Sequence, residues 1–326
     1  MPVNLFDLAK TFETRAEDIG LVQGHRLCPG CAAPIVVKFS LMVAKRLGYE
    51  PVVALATGCL EVSTTIYPYT AWTVPYIHNA FENSAATMSG VETAAKALKK
   101  FGKIPEDKKY AFFVFAGDGG TYDIGLQSLS GMIERGHKVI YVLYDNEGYM
   151  NTGNQRSGST PTGSNTTTAP VGKVIPGKVQ LKKNIVEIVA GHEYVYAATA
   201  SISDPNDFFA KIEKALNFDG PSFIAAFSPC VRFWRVPDSA ANSISKLAVE
   251  TKYWPLYEVD RGVYKVTRKP RQFKPLIEFL KPQGRFKPLL SRPDAEEIIN
   301  ELQEYVDRRW ERLLILEEAT KGKYIR

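Results

Sequence analysis

Two sets of residues in this chain are of types and spacings that could do chemistry. The first is Gly117-Asp118-Gly119-Gly120, with Asn146 twenty-eight residues beyond the aspartate and Glu147-Gly148 directly after it. Glycines let backbone N–H groups come close to phosphate oxygens. Asp118 and Asn146 supply oxygen ligands, and a backbone carbonyl in the following turn, that of Gly148, can complete the set. Hard oxygen ligands with the remaining positions left to a diphosphate suit Mg²⁺. The plain alternative is a tight strand–helix turn, since Gly-Asp-Gly alone is common; the spaced Asn146 and the flanking apolar runs favour the diphosphate reading. No Gly-x-Gly-x-x-Gly occurs, so a dinucleotide site has no support.

The second set is the four cysteines Cys28, Cys31, Cys59 and Cys230. Four thiolates suit a [4Fe–4S] cluster or a structural zinc ion. A zinc ribbon usually uses two C-x-x-C pairs, and here Cys28-Pro29-Gly30-Cys31 is the single one. A thioredoxin-like redox pair leaves Cys59 and Cys230 as plain core residues. Two disulfides are also arithmetically possible, but a reducing cytosol argues against them. Spacing alone leaves cluster, zinc and unrelated cysteines open.

These residues need a scaffold, and the apolar runs supply one. Pro51–Ala56 reads as a buried strand ending at Thr57-Gly58-Cys59, and Tyr110–Ala116 as a parallel strand with both faces covered, ending at the glycine motif. Lys138–Tyr144 is a third such strand, ending at Asn146. Helical spacing marks Glu82–Lys100; a further helix opens at Asp123, runs to Glu134 and aims its positive end at the glycine motif. After a long polar loop, Asp145–Lys183, alternation resumes with strand Tyr194–Thr199, a helix from Asp204 to Leu216, and strand Pro221–Phe227 before Cys230. A loop of that length inside strand–helix alternation is more often functional than disordered. The pattern predicts an α/β fold with a doubly wound, mostly parallel sheet and a C-terminal extension. Its ligand sites should lie at the carboxyl ends of the strands. A hairpin centred on Asp260-Arg261-Gly262 follows. Pro270–Pro293 reads as a basic, extended surface arm, and Asp294–Glu318 as an amphipathic helix. The expected division is an N-terminal arm with a short helical stretch (1–24), a cofactor domain (25–235) and a C-terminal arm and helix for subunit contacts (236–326).

The chain has 326 residues, 45% hydrophobic and 23% charged, with 41 basic and 35 acidic residues giving +6. That mild charge does not call for nucleic acid. No run reaches the roughly 18 apolar residues of a membrane span, and Met1–Arg15 lacks the form of a signal peptide, so a cytoplasmic protein is expected.

The Gly-Asp-Gly of residues 117–119, with Asn146 after it, resembles the diphosphate-binding motif of thiamine-diphosphate (TPP) enzymes. Asp145 stands where many relatives carry a second Asn, which Asn146 can compensate. TPP stabilises a carbanion, and a neighbouring low-potential cluster could take its electrons singly, which tilts the cysteines towards [4Fe–4S]. Longer matches are more specific. They are Gly24-His25-x-x-Cys28-x-x-Cys31, Ala56-Thr57-Gly58-Cys59-Leu60-Glu61-Val62, Pro68–Trp72, and Ile77-His78-x-Ala80-Phe81-Glu82-Asn83. The longest runs from Gly117-Asp118-Gly119-Gly120 through Asp145–Gly153 and on through Gln155-Arg156-Ser157 and Thr160-Pro161 to Thr166–Thr168 and Gly172-Lys173. From about Gly24 onward the chain resembles the β subunit of the 2-oxoacid:ferredoxin oxidoreductases, most like the pyruvate type.

That resemblance implies a TPP-binding fold and oxidative decarboxylation of a 2-oxo acid, with electrons passing to ferredoxin and coenzyme A taking the acyl group. It implies that Cys28, Cys31, Cys59 and Cys230 ligate the cluster, with Cys59 also touching thiamine. Gly117–Gly120 would hold the diphosphate, and Asp118, Asn146 and the Gly148 carbonyl would bind Mg²⁺. Asn151 would stand beside the reacting 2-oxo group, donating to a developing oxyanion. Ala33 departs from relatives that carry a Glu near the cofactor. The glutamate that activates the aminopyrimidine and the substrate carboxylate anchor would come from partner subunits of alpha, gamma and delta type. Glu61, His25 and His78 read more simply as structural, Arg156 and Lys173 as solvated loop charges or as contacts to diphosphate or coenzyme A, and Tyr67, Tyr69, Trp72 and Tyr76 as core or interface.

Overall fold

Runs of side chains buried on both faces dictate the architecture. In the computed structural model, which describes residues 19–325, eight strands form one sheet in the order β2-β1-β3-β4-β6-β5-β7-β8. The strands are β1 (Glu50–Ala56), β2 (Tyr76–Asn79), β3 (Tyr110–Ala116), β4 (Ile140–Asp145), β5 (Tyr196–Ser201), β6 (Ser222–Phe227), β7 (Leu256–Asp260) and β8 (Val263–Arg268). The first six are parallel, and the β7–β8 hairpin adds to the β5 edge antiparallel. Every residue of β4, β5 and β6 is buried, as a parallel sheet covered on both faces requires. The helix Ser84–Lys100 lies over β1 and β3, and the helix Ala295–Thr320 over β8. The helices Ala33–Arg46 and Pro205–Asn217 pack on each other through Phe39, edge-on to Phe209 with ring centroids 4.9 Å apart.

Three sequence readings are corrected. The helix expected from Asp123 begins at Leu126. Before it, Gly119–Asp123 forms a π-helical turn, a geometry frequent at functional sites. Asp123 does not cap a helix; its carboxylate accepts from the Gly158 N–H (3.0 Å) and the Tyr149 hydroxyl (3.0 Å). β5 starts two residues later than read, because a turn at Glu193, with φ of 65°, takes up Tyr194 and Val195. The basic segment 270–293 is not an extended surface arm. Its apolar residues Leu276, Phe279, Leu280, Phe286 and Leu289 are buried, and Phe279 stacks on Tyr253 at 4.5 Å. Of the N-terminal arm 1–24, read with a short helical stretch, residues 1–18 lie outside the described residues. Among the described residues no helix is long and apolar enough to cross a membrane.

Candidate active site

The carboxyl ends of β1, β3 and β4 surround a cavity with about 440 Å³ of atom-free space, part of it open to solvent. Its walls bring together Thr57, Gly58 and Cys59 after β1, Gly117, Asp118 and Gly119 after β3, and Asn146, Gly148 and Tyr149–Thr152 after β4. Asn151, exposed at the tip of the loop after β4, stands on its rim. Gly120 is not in the wall. It packs beneath, where a Cβ would stand 2.9 Å from the Phe81 carbonyl oxygen.

Oxygen atoms crowd at the floor. With its amide oxygen turned inward, Asn146 faces Asp118 Oδ1 at 2.8 Å and the Gly148 carbonyl oxygen at 2.9 Å. Three acceptors thus meet without a donor. Reversing the amide would turn both contacts into hydrogen bonds; amide orientation is a matter of what the surroundings demand. A cation between the oxygens satisfies them equally well. An octahedral shell at roughly 2.0–2.1 Å spaces neighbouring oxygens roughly 2.9 Å apart. Asp118 is buried, and Ser157 Oγ donates to its other oxygen at 2.6 Å. Burial first, and the charge of Asp145 second, hold the Asp118 carboxyl well above its ordinary range. A carboxylate in that position is short of a positive charge.

Glycines shape the rest of the cradle. A Cβ on Gly119 would fall 2.2 Å from the Tyr149 ring, and one on Gly58 2.6 Å from the Tyr144 hydroxyl. That hydroxyl is buried and lacks a well-formed hydrogen bond, with the Leu60 backbone N–H as a nearby donor. A polar atom left so beside a cavity is one a bound ligand would satisfy.

The cysteines come from three places, the turn Cys28–Cys31, Cys59 and Cys230, and none is in a disulfide. The Cys31 N–H donates to the Cys28 carbonyl (3.1 Å) across a turn in which Gly30 has φ of 74° and a Cβ would stand 1.9 Å from the Asp238 carbonyl oxygen. Cys59 opens the helix Cys59–Thr64 after β1, and Cys230 precedes the helical turn Val231–Trp234 after β6. The four thiols lie within electrostatic reach of one another. Burial, with the neighbouring cysteines adding to it, pushes the Cys31 and Cys59 thiols up to about 12. Among the described residues no three His, Cys, Asp or Glu side chains stand close enough, as they are, to hold a single metal ion.

Behind the cavity lies a buried charge network that sequence reading missed. Lys182 Nζ donates to Asp145 and to Glu147, both at 2.8 Å. Arg285 Nη2 donates to the other Glu147 oxygen at 2.6 Å, and the Tyr253 hydroxyl also donates to Glu147. Burial alone would raise the Glu147 carboxyl; Lys182 and Arg285 more than offset it, so it stays below its ordinary value. A depressed carboxylate contributes stability that is present above its unfolded value, roughly 4.3, and is lost as pH falls through the folded one. Glu147→Gln should therefore destabilise the chain by about 3–5 kcal/mol at neutral pH, because it leaves the buried Arg285 without a carboxylate and Lys182 with Asp145 alone. The difference should shrink in acid. Urea denaturation at pH 7 and pH 4 checks both points.

The other candidates lie outside the cavity wall. Glu61, largely buried, pairs with His78 at 3.1 Å and accepts from Thr65 at 2.8 Å. Arg156 and Lys173 are exposed and outside the cavity wall. Trp72 is core, while Tyr67 and Tyr69 are exposed. Of the residues not foreseen, Ser157 and Glu147 sat inside the long motif and carried that signal; Lys182, Trp234 and Arg285 carried none.

Residues 56–226 match the thiamine pyrophosphate enzyme family, in its C-terminal TPP-binding domain. The chain is 80% identical to the pyruvate synthase subunit PorB of Thermotoga maritima, over the whole of both chains. It is 50% identical to PorB of Methanocaldococcus jannaschii, covering 88% of this chain and 93% of that one. Against the ketoisovalerate oxidoreductase subunit VorB of Pyrococcus abyssi it is 43% identical, covering 91% and 93%. A solved 2-oxoglutarate:ferredoxin oxidoreductase from Magnetococcus marinus shares the fold with a TM-score of 0.55, at 20% identity over 72% of this chain and 81% of that one.

Proposed function

This chain belongs to the pyruvate synthase PorB family of thiamine pyrophosphate enzymes, and from that premise we propose that it is the subunit of a pyruvate:ferredoxin oxidoreductase that carries TPP, Mg²⁺ and a [4Fe–4S] cluster. The observation that carries the reading is the meeting of the Asp118 carboxylate, the Asn146 amide and the Gly148 carbonyl oxygen at the floor of a glycine-lined cavity. The donor set is all oxygen and includes one carboxylate, which fits Mg²⁺ completed by diphosphate.

When bound, TPP supplies the carbanion-stabilising chemistry of 2-oxo acid decarboxylation. The chain's own residues do the rest. Backbone at Gly117–Gly119 would hold the diphosphate, and Asp118, Asn146 and the Gly148 carbonyl would hold the metal. Gly120 supports that turn from below. Asn151 stands at the open rim, where an incoming substrate passes, and its amide can donate to an oxygen of the 2-oxo group. Cys28, Cys31, Cys59 and Cys230 would hold the cluster, which would supply a one-electron acceptor, and Cys59 is also in the cavity wall. Ferredoxin receives the electrons and coenzyme A the acyl group. Partner subunits of alpha, gamma and delta type complete the site with the aminopyrimidine-activating glutamate and the carboxylate anchor.

The relative named for ketoisovalerate is 43% identical to this chain, so one such β-type scaffold can serve different 2-oxo acids. A panel assay decides between them. With the assembled complex and ferredoxin, pyruvate should show the highest kcat/KM, ahead of 2-oxoisovalerate, an aryl 2-oxo acid and oxalate. Faster turnover of any of those three would reassign the substrate.

A further inference from the structure

The two residues of the loop after β4 that offer oxygens to the site, Asn146 and Gly148, flank Glu147, whose φ of 66° is left-handed. A non-glycine residue keeps that conformation when its surroundings impose it. Two side chains from later in the chain do so. Trp234 Nε1 donates to the Asn146 carbonyl oxygen at 3.0 Å. Arg285 donates to the Glu147 carboxylate at 2.6 Å, and its guanidinium lies over the Trp234 ring, 3.7 Å from the centroid. Both side chains are buried. The Trp234 backbone N–H in turn donates to the Cys230 carbonyl oxygen at 2.9 Å. One connected set of contacts therefore runs from Cys230 through Trp234 to Asn146, and Arg285 closes it onto Glu147.

We propose that Trp234 and Arg285 are positioning residues for the divalent-metal site: they fix the peptide on each side of Glu147, so that Asn146 Oδ1 and the Gly148 carbonyl oxygen face one point. The inference rests on the Mg²⁺ reading given above. It assigns a cofactor role to the C-terminal segment around residue 285, which the sequence presents as a surface arm. Neither residue touches the metal, so each acts through another group. Outer partners of metal ligands typically change metal affinity roughly 10–100-fold when removed.

The test uses the assembled enzyme, stripped of divalent cation and titrated with Mn²⁺ at saturating TPP, with bound Mn²⁺ read by EPR. Trp234→Phe keeps a ring under Arg285 and removes the N–H. Arg285→Lys keeps the charge and loses the planar fork. Each should lower the apparent Mn²⁺ affinity by roughly tenfold or more and broaden the bound Mn²⁺ spectrum, with TPP binding recovered at high Mn²⁺ and iron content unchanged. Wild-type affinity in both variants would overturn the proposal. So would a loss that raised Mn²⁺ does not restore, which would mark the contacts as structural only. Failure of the wild-type enzyme to bind Mn²⁺ with TPP would instead refute the metal reading itself.

Discussion

Asp118→Ala is expected to abolish retention of TPP and Mg²⁺ while leaving the iron content unchanged. Asp118 is the one carboxylate among the three oxygens that meet below the cavity. Removing a mere outer partner of a metal ligand costs roughly 10–100-fold, and removing the charged ligand itself should exceed that. The same substitution has an opposite effect on the ligand-free fold. Burial holds this carboxyl above its ordinary range. A raised carboxyl pKa lowers stability once pH exceeds the unfolded value, because the charged form prefers the unfolded chain. The ligand-free variant should therefore melt no lower than the ligand-free parent. What it loses is the stabilisation that Mg²⁺ and TPP add by binding the native state. Melting curves with and without both ligands, together with TPP content after dialysis, check this. Undiminished TPP content would remove Asp118 from the site.

The second large effect is expected from Cys230→Ser. Unlike Cys59, Cys230 is not in the cavity wall, so its loss separates the cluster from TPP. The substitution should reduce bound iron to background and stop ferredoxin reduction, while TPP affinity stays within a few-fold of the parent. Burial raises the Cys230 thiol above its ordinary value, and pushes those of Cys31 and Cys59 to about 12. At neutral pH these groups are protonated until an electrophilic metal centre takes the proton's place. Cluster assembly should accordingly release protons. A Cys230→Ser protein with its full complement of iron would take Cys230 out of the ligand set.

Much of this site is legible in the sequence, for a physical reason. Parallel strands buried on both faces announce themselves as apolar runs, so β1, β3 and β4 and the residues just past their carboxyl ends can be located without coordinates. Asp118, Asn146, Gly148 and Cys59 all lie there, and the structure gathers them in one wall. What fails is the part decided by distant partners. Asp123 has the type and place of a helix cap, but Gly158 and Tyr149 donate to it instead, and the helix starts later. Glu147 and Arg285 are 138 residues apart, and no local pattern pairs them. The 270–293 segment looks solvated because its prolines and basic residues dominate the composition, whereas five apolar side chains and Arg285 carry it inward.

The central claim is that one polypeptide holds a thiamine cofactor and a redox-active iron centre side by side. Iron, acid-labile sulfide and TPP analysis of the anaerobically isolated complex, with EPR before and after dithionite, tests it most directly. Iron and sulfide are expected in the ratio of a [4Fe–4S] cluster in this chain, with a signal that appears on reduction, both lost in Cys230→Ser but not in Asp118→Ala. A colourless chain carrying zinc, silent on reduction, would contradict it.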